Sequence, residues 1–208
     1  DHRDLHSFPT RRSSDLVGSL LTANGWTVSS GGGTNALAVV SPSLTMTNYW
    51  ANAGGAVNII NTGEDDFKTF TPQTAGSVYL SFIMKVASAQ VGDYFIAMSP
   101  ATQTNYAART YIKSNGAGGF NIGIGKSNEA ATYGTTAFAF ATNYLVVIKY
   151  TFNTGSTTDD VITVYVIPSI TPGMTEPSTA EITYLCADQS KLDPATLERS
   201  EEHTSELQ

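Results

Sequence analysis

Few residues in this chain are of a type that does chemistry, and each candidate has a structural alternative. Glu64, Asp65 and Asp66 form the densest acidic run. Adjacent carboxylates in a loop suit calcium, a hard cation that takes about six to eight oxygen ligands. The spacing is not that of an EF-hand loop, and the run also reads as a solvated turn before Phe67. Asp159-Asp160 is a weaker version that hairpin-turn chemistry explains. The second set is aromatic. Tyr49, Trp50, Tyr106 and Tyr111 each join a flat apolar face to a polar handle, which suits contact with a glycan ring. Trp26, at the start of a strand, reads as core instead. Tyr49 and Trp50 are neighbours, so on a strand they face opposite ways and one of them is exposed.

Other chemistries lack their parts. Hydrolysis of a glycoside needs two carboxylates facing each other about 5–9.5 Å apart. No strand carries the alternating Glu-x-Asp-x-x-Glu pattern that would place them, and Glu181 stands alone on its strand. Gly118-Gly119 and Gly123-x-Gly125 are followed by no helix and no Gly-Lys-Thr, so a phosphate loop is excluded. Cys186 has no second cysteine for a disulfide. It also lacks the base that would make it a nucleophile.

The elements that must hold these residues are strands. Ser77–Val86 alternates Val78, Leu80, Phe82, Met84 and Val86 against Tyr79, Ser81, Ile83 and Lys85, the period of a half-buried strand. Tyr144–Phe152 and Val161–Ile167 follow the same rule. The polar stretch Asn153–Asp160 between them predicts an antiparallel hairpin. Weaker strands are expected at Trp26–Ser29, Ala36–Val40, Leu44–Tyr49, Ala56–Ile60, Tyr94–Met98, Ala107–Lys113, Phe120–Gly125 and Ala180–Leu185. Asn115–Gly119 turns Ala107–Lys113 into Phe120–Gly125. Strands at this spacing, with no amphipathic helix, predict an all-β antiparallel jelly-roll β-sandwich.

Composition agrees. Of the 208 residues, 41% are hydrophobic and only 14% charged, against about 25% charged in an average protein. The net charge of −7 argues against nucleic acid, which requires a basic face. No apolar run approaches the roughly 20 residues of a membrane-spanning helix.

The two ends differ from the rest. Asp1–Leu16 and Arg199–Gln208 lack any strand or helix period, and each reads as the translation of a sequencing-library adapter, one on each flank. Both are therefore set apart from the fold. All three histidines, His2, His6 and His203, fall in these ends. The insert, Val17–Glu198, has none, which removes Ser-His-Asp and Cys-His catalysis and His-ligated metals. It carries seven basic and twelve acidic residues, a net charge of −5. It is expected to be a single truncated domain.

Four phrases in the insert carry a family resemblance: Gly18–Thr27, Asn61–Phe70, Gly76–Phe95 and Asn143–Pro168. Their order and spacing resemble secreted concanavalin-like or laminin-G-like jelly-roll modules of Bacteroidetes-type exported proteins. The resemblance implies an extracellular or cell-surface setting and carries over no catalytic residue. It also implies two further strands after Leu192–Leu197, so the fragment is expected to lack C-terminal strands and to leave a sheet edge open. The function expected on these grounds is a non-catalytic interaction or spacer module that binds glycan. A glycan-active enzyme and a purely structural tandem unit are the alternatives.

Overall fold

The computed structural model describes residues 17–49, 55–60, 62–89, 92–102, 105–187 and 192–202. Their strands are β1 (Thr27–Ser30), β2 (Val39–Val40), β3 (Ala56–Val57), β4 (Asp65–Gln73), β5 (Ser77–Lys85), β6 (Asp93–Ser99) and β7 (Ala108–Ser114). There follow β8 (Gly119–Gly125), β9 (Thr132–Tyr133), β10 (Phe138–Ala139), β11 (Asn143–Thr151), β12 (Val161–Ile167), β13 (Ile182–Leu185) and β14 (Leu197–Glu202). A 3-10 turn, Leu21–Asn24, precedes β1. Every pairing among these strands is antiparallel.

Two sheets form the sandwich. The larger runs β1-β4-β14-β6-β7-β8-β10, with β9 also on β8; the smaller runs β13-β12-β11-β5. Alternation along the strands fills the space between them. Val78, Leu80, Phe82 and Met84 of β5 point inward with Val146, Ile148 and Tyr150 of β11 and Ile162 and Val164 of β12. From the large sheet they meet Ile96, Met98, Ile112, Phe120, Ile122 and Ile124. Burying each of these side chains contributes about 1.5–3 kcal/mol, so this layer dominates the stability. Leu145, Tyr165 and Ile167 lie on the other face of the small sheet and make a second cluster with Met46.

The two expected hairpins form. β11 pairs with β12 from Leu145↔Ile167 to Thr151↔Val161, and β7 pairs with β8 from Arg109↔Gly125 to Ser114↔Phe120. Leu44–Tyr49 is not a strand. Asn48 adopts a left-handed backbone at φ 66°, and the Tyr49 amide closes a turn on the Met46 carbonyl at 3.1 Å. Glu64–Asp66 does not end in a turn; Asp65 and Asp66 open β4, nine residues long. Residues 199–202, set apart from the fold on sequence grounds, belong to a paired strand. Leu197–Glu202 enters the large sheet between β4 and β6, pairing with both.

Candidate functional site

The face of the large sheet turned away from the core collects the side chains of interest. On β7, Arg109, Tyr111 and Lys113 alternate with the inward Thr110 and Ile112. Tyr111 lies opposite Tyr94 of β6, which brings a second ring onto the same face. The two rings are 5.8 Å apart, and Tyr94 lies 5.9 Å from Tyr106. Tyr133 of β9 joins from the other side, 6.5 Å from Tyr111.

Tyr133 reaches this position because two glycines leave room for it. A Cβ on Gly123 would stand 2.7 Å from two of its ring carbons, and one on Gly92 would clash with its hydroxyl. Glycine in a strand interior weakens the strand, so close approach of a neighbour is its compensation here.

The cations of this face rest on the rings. The Arg109 guanidinium carbon lies 4.6 Å from the Tyr94 ring centre and 4.9 Å from that of Tyr106. The Lys113 ammonium sits 3.9 Å over Tyr133. Cation–π contact holds a charge in place without neutralising it. Among the described residues, neither Arg109 nor Lys113 forms a salt bridge. Arg109 Nη2 donates to Asn128 Oδ1 at 3.4 Å. The Tyr106 hydroxyl donates to Glu201 Oε1 at 3.3 Å. Burial, then the Glu201 charge, push its pKa well up. Burial, then Tyr111 and Asp93, push Tyr133 up to about 12, so its phenol keeps its proton at neutral pH. The face thus offers phenols beside two ring-supported cations, with the carboxylates of Glu201 and Asp93 near its rim.

The aromatic candidates divide. Tyr106 and Tyr111 belong to this face. Tyr49 lies on the opposite side of the molecule, in a cleft of about 390 Å³ over the small sheet, with Tyr79, Tyr165 and the 170–177 loop. The charges there answer each other: Glu176 accepts from Lys149 at 2.8 Å, Tyr165 at 2.7 Å and Tyr79 at 2.9 Å. Trp50 lies outside the described residues. The sequence reasoning did not single out Tyr94, Arg109, Lys113 or Tyr133. The first and last arrive through pairing register, which no local pattern announces. Arg109, Tyr111 and Lys113 were readable as one alternating face.

The three acidic candidates do not converge. Glu64 Oε2 accepts the Gly33 amide at 2.7 Å, and Asp65 Oδ2 accepts the Ser30 hydroxyl at 2.5 Å. Asp66 turns to the other face of β4, opposite Glu202 of β14. The carboxylates that do come within 4.8 Å of one another are those of Asp159, Asp160 and Asp193. The buried Lys126 ammonium already bonds Asp193 there, at 2.7 Å. Asp160 accepts from the Tyr150 hydroxyl and the Asn153 amide, each at 2.6 Å, and the Asp193 side chain caps the Asp160 amide at 2.9 Å. Cys186 is fully buried beside them, and burial pushes its thiol up to about 12.

No protein-family model and no curated protein matches the chain. Two solved structures do, both of the alginate lyase Aly36B. One is of alginate lyase Aly36B itself, with a TM-score of 0.48; the other is of a double mutant in complex with an alginate tetrasaccharide, with a TM-score of 0.47. Each is 13% identical, over 90% of this chain and 82% of that chain. The expectation of a module without catalytic activity is withdrawn, since the solved structures that match are of an alginate lyase. The paired carboxylates whose absence prompted that expectation are a requirement of hydrolysis, not of every glycan-active chemistry.

Proposed function

We propose that this protein binds an acidic polysaccharide on the outer face of β6–β9 and cleaves it by elimination. The observation that carries the reading is the pair of ring-supported cations, Arg109 and Lys113, with no salt bridge among the described residues. They stand four residues apart on one strand face, about 13 Å by strand rise, so they meet different sugar units. A sugar carboxylate is the ligand group that answers a guanidinium with two parallel hydrogen bonds. Neutralising that carboxylate also makes the adjacent C–H more acidic, which is the electrostatic requirement of elimination.

The proton work falls to phenols. Tyr111 lies between the two cations on β7; as the phenolate, its own proton having gone to water, it takes the carbon-bound proton and becomes the phenol. Tyr133, which keeps its proton to about pH 12, is suited to deliver one to the departing glycosidic oxygen. The resemblance to exported modules supports an extracellular setting for such a substrate.

The test is incubation with alginate and with polygalacturonate, following the ultraviolet absorbance of the unsaturated uronate that elimination forms. Arg109→Ala is expected to lose binding, and Tyr111→Phe to retain binding while turnover falls about 100-fold or more. The reading fails if neither polymer is bound, or if Arg109→Ala binds as well as the parent.

A further inference from the structure

β14 is matched to the large sheet at Leu197 and on its outward side, where Arg199 lies 4.3 Å over the Phe67 ring and Glu201 accepts from Ser29 and Tyr106, and is poorly matched at its inward positions beyond Leu197. Leu197 is fully buried in the main core. Beyond it the inward positions hold Ser200, paired with Lys68 and Met98, and Glu202, paired with Asp66 and Ile96. A strand in the middle of a sandwich sheet should carry apolar side chains at such positions. Instead two carboxylates stand directly opposite each other, an arrangement that destabilises a strand pair. Both carboxylate oxygens of Asp66 and Oε2 of Glu202 are buried without a hydrogen-bond partner among the described residues. Lys68, the cation on the same face of β4, is directed to the Asn24 carbonyl at 3.2 Å. On the outward side, Arg199 Nε is buried with no hydrogen-bond partner among the described residues, although its guanidinium rests over the Phe67 ring. The mismatched inward positions, Ser200 and Glu202, both lie within the adapter-like segment.

We propose that the gap between β4 and β6 is a strand-acceptor groove, and that residues 199–202 occupy it in place of its matched strand. The matched occupant is the stretch of the natural polypeptide that follows Glu198. It carries apolar side chains at the positions of Ser200 and Glu202. Leu197 leads the chain into the groove, and backbone pairing to β4 and β6 accepts any extended segment. Side chains then decide how well it fits. The outward position now held by Glu201 faces Tyr106, so the matched strand also sets one wall of the candidate site. The proposal stands whether or not that site cleaves a glycan.

The experiment compares thermal midpoints of the full chain and its Ser200→Val/Glu202→Val variant. Removing a buried, unpartnered carboxylate and adding core contacts is expected to raise the midpoint by about 5 °C or more. An unchanged or lower midpoint overturns the proposal. So does a rise of the parent's midpoint on adding Ca²⁺ that Glu202→Gln abolishes, because Asp66 and Glu202 would then be a cation site of a native strand. Should the double variant not accumulate, hydrogen exchange on the unsubstituted chain decides. The amides of residues 199–202 are expected to exchange at least about tenfold faster than those of β7 and β8, and equal protection overturns the proposal.

Discussion

At the scale of the residue, the candidate site depends on what is missing from Gly123. Its Cβ position is taken by the Tyr133 ring, and that ring in turn carries the Lys113 ammonium. Gly123→Ala therefore displaces both a phenol and a cation while leaving their chemistry intact. Overpacking of this kind typically costs about 1–3 kcal/mol, which a sandwich of this size tolerates. The expected outcome is a folded protein with weakened glycan binding and lower turnover. Tyr133→Phe, by contrast, keeps the ring and its cation contact. It is expected to bind as the parent does and to lose turnover alone. Isothermal titration beside a turnover assay separates the two. Equal behaviour of the variants would remove Tyr133 from the proton-transfer role.

At the scale of the element, the deepest electrostatic commitment is where β8 ends. Lys126 follows it directly, fully buried, and its ammonium bonds Asp193 and the Cys186 carbonyl. Breaking a buried pair by removing one partner typically costs about 3–5 kcal/mol, because the other charge stays behind. Asp193→Ala strands the ammonium and is expected to show that full loss in urea unfolding. Lys126→Met is expected to cost less, since Asp193 keeps the hydrogen bond from the Asp160 amide. If the two losses are equal, the Asp160 contact does not hold the carboxylate. The cluster was legible only as two turn residues, Asp159 and Asp160, because Lys126 and Asp193 are 67 positions apart. The same limit explains the fold. β5, β11 and β12 were readable since alternation over seven to nine residues is a local signal. β4 was not, because an acidic pair opens it and Pro72 lies near its end. β9 was not, because two residues carry no period at all. Half of the site's tyrosines arrive on local alternation or sequence type, and the others on register.

At the scale of the whole molecule, the balance of carboxylates sets the response to pH. Burial, then the charges of Glu64 and Asp65, raise Asp66 to about 6. Burial, then the charge of Asp66, raise Glu202 to about 7. Burial also raises Asp160, against the hydrogen bonds it accepts. A carboxyl that binds its proton more tightly in the folded chain than in the unfolded one stabilises the fold only while protonated. Its contribution is complete below the unfolded value of about 4 and is lost as the pH rises to the folded value. Glu176 runs the other way: the Lys149 hydrogen bond first, then those of Tyr165 and Tyr79, hold it down to about 2. Its contribution is present above about pH 4.5 and falls away only below that, so it does not oppose the others at higher pH. The thermal midpoint is therefore expected to be higher at about pH 5 than at about pH 7.5, the reverse of a protein held by exposed ion pairs. Scanning calorimetry across that window gives the sign directly. In Ser200→Val/Glu202→Val the slope should shrink, because Asp66 loses its facing carboxylate and becomes the main raised group left in the sheet. A midpoint that climbs from pH 5 to 7.5 in the parent would mean that Asp66 and Glu202 are ionised and compensated in solution, and the poor fit of the last strand would then lose its electrostatic basis.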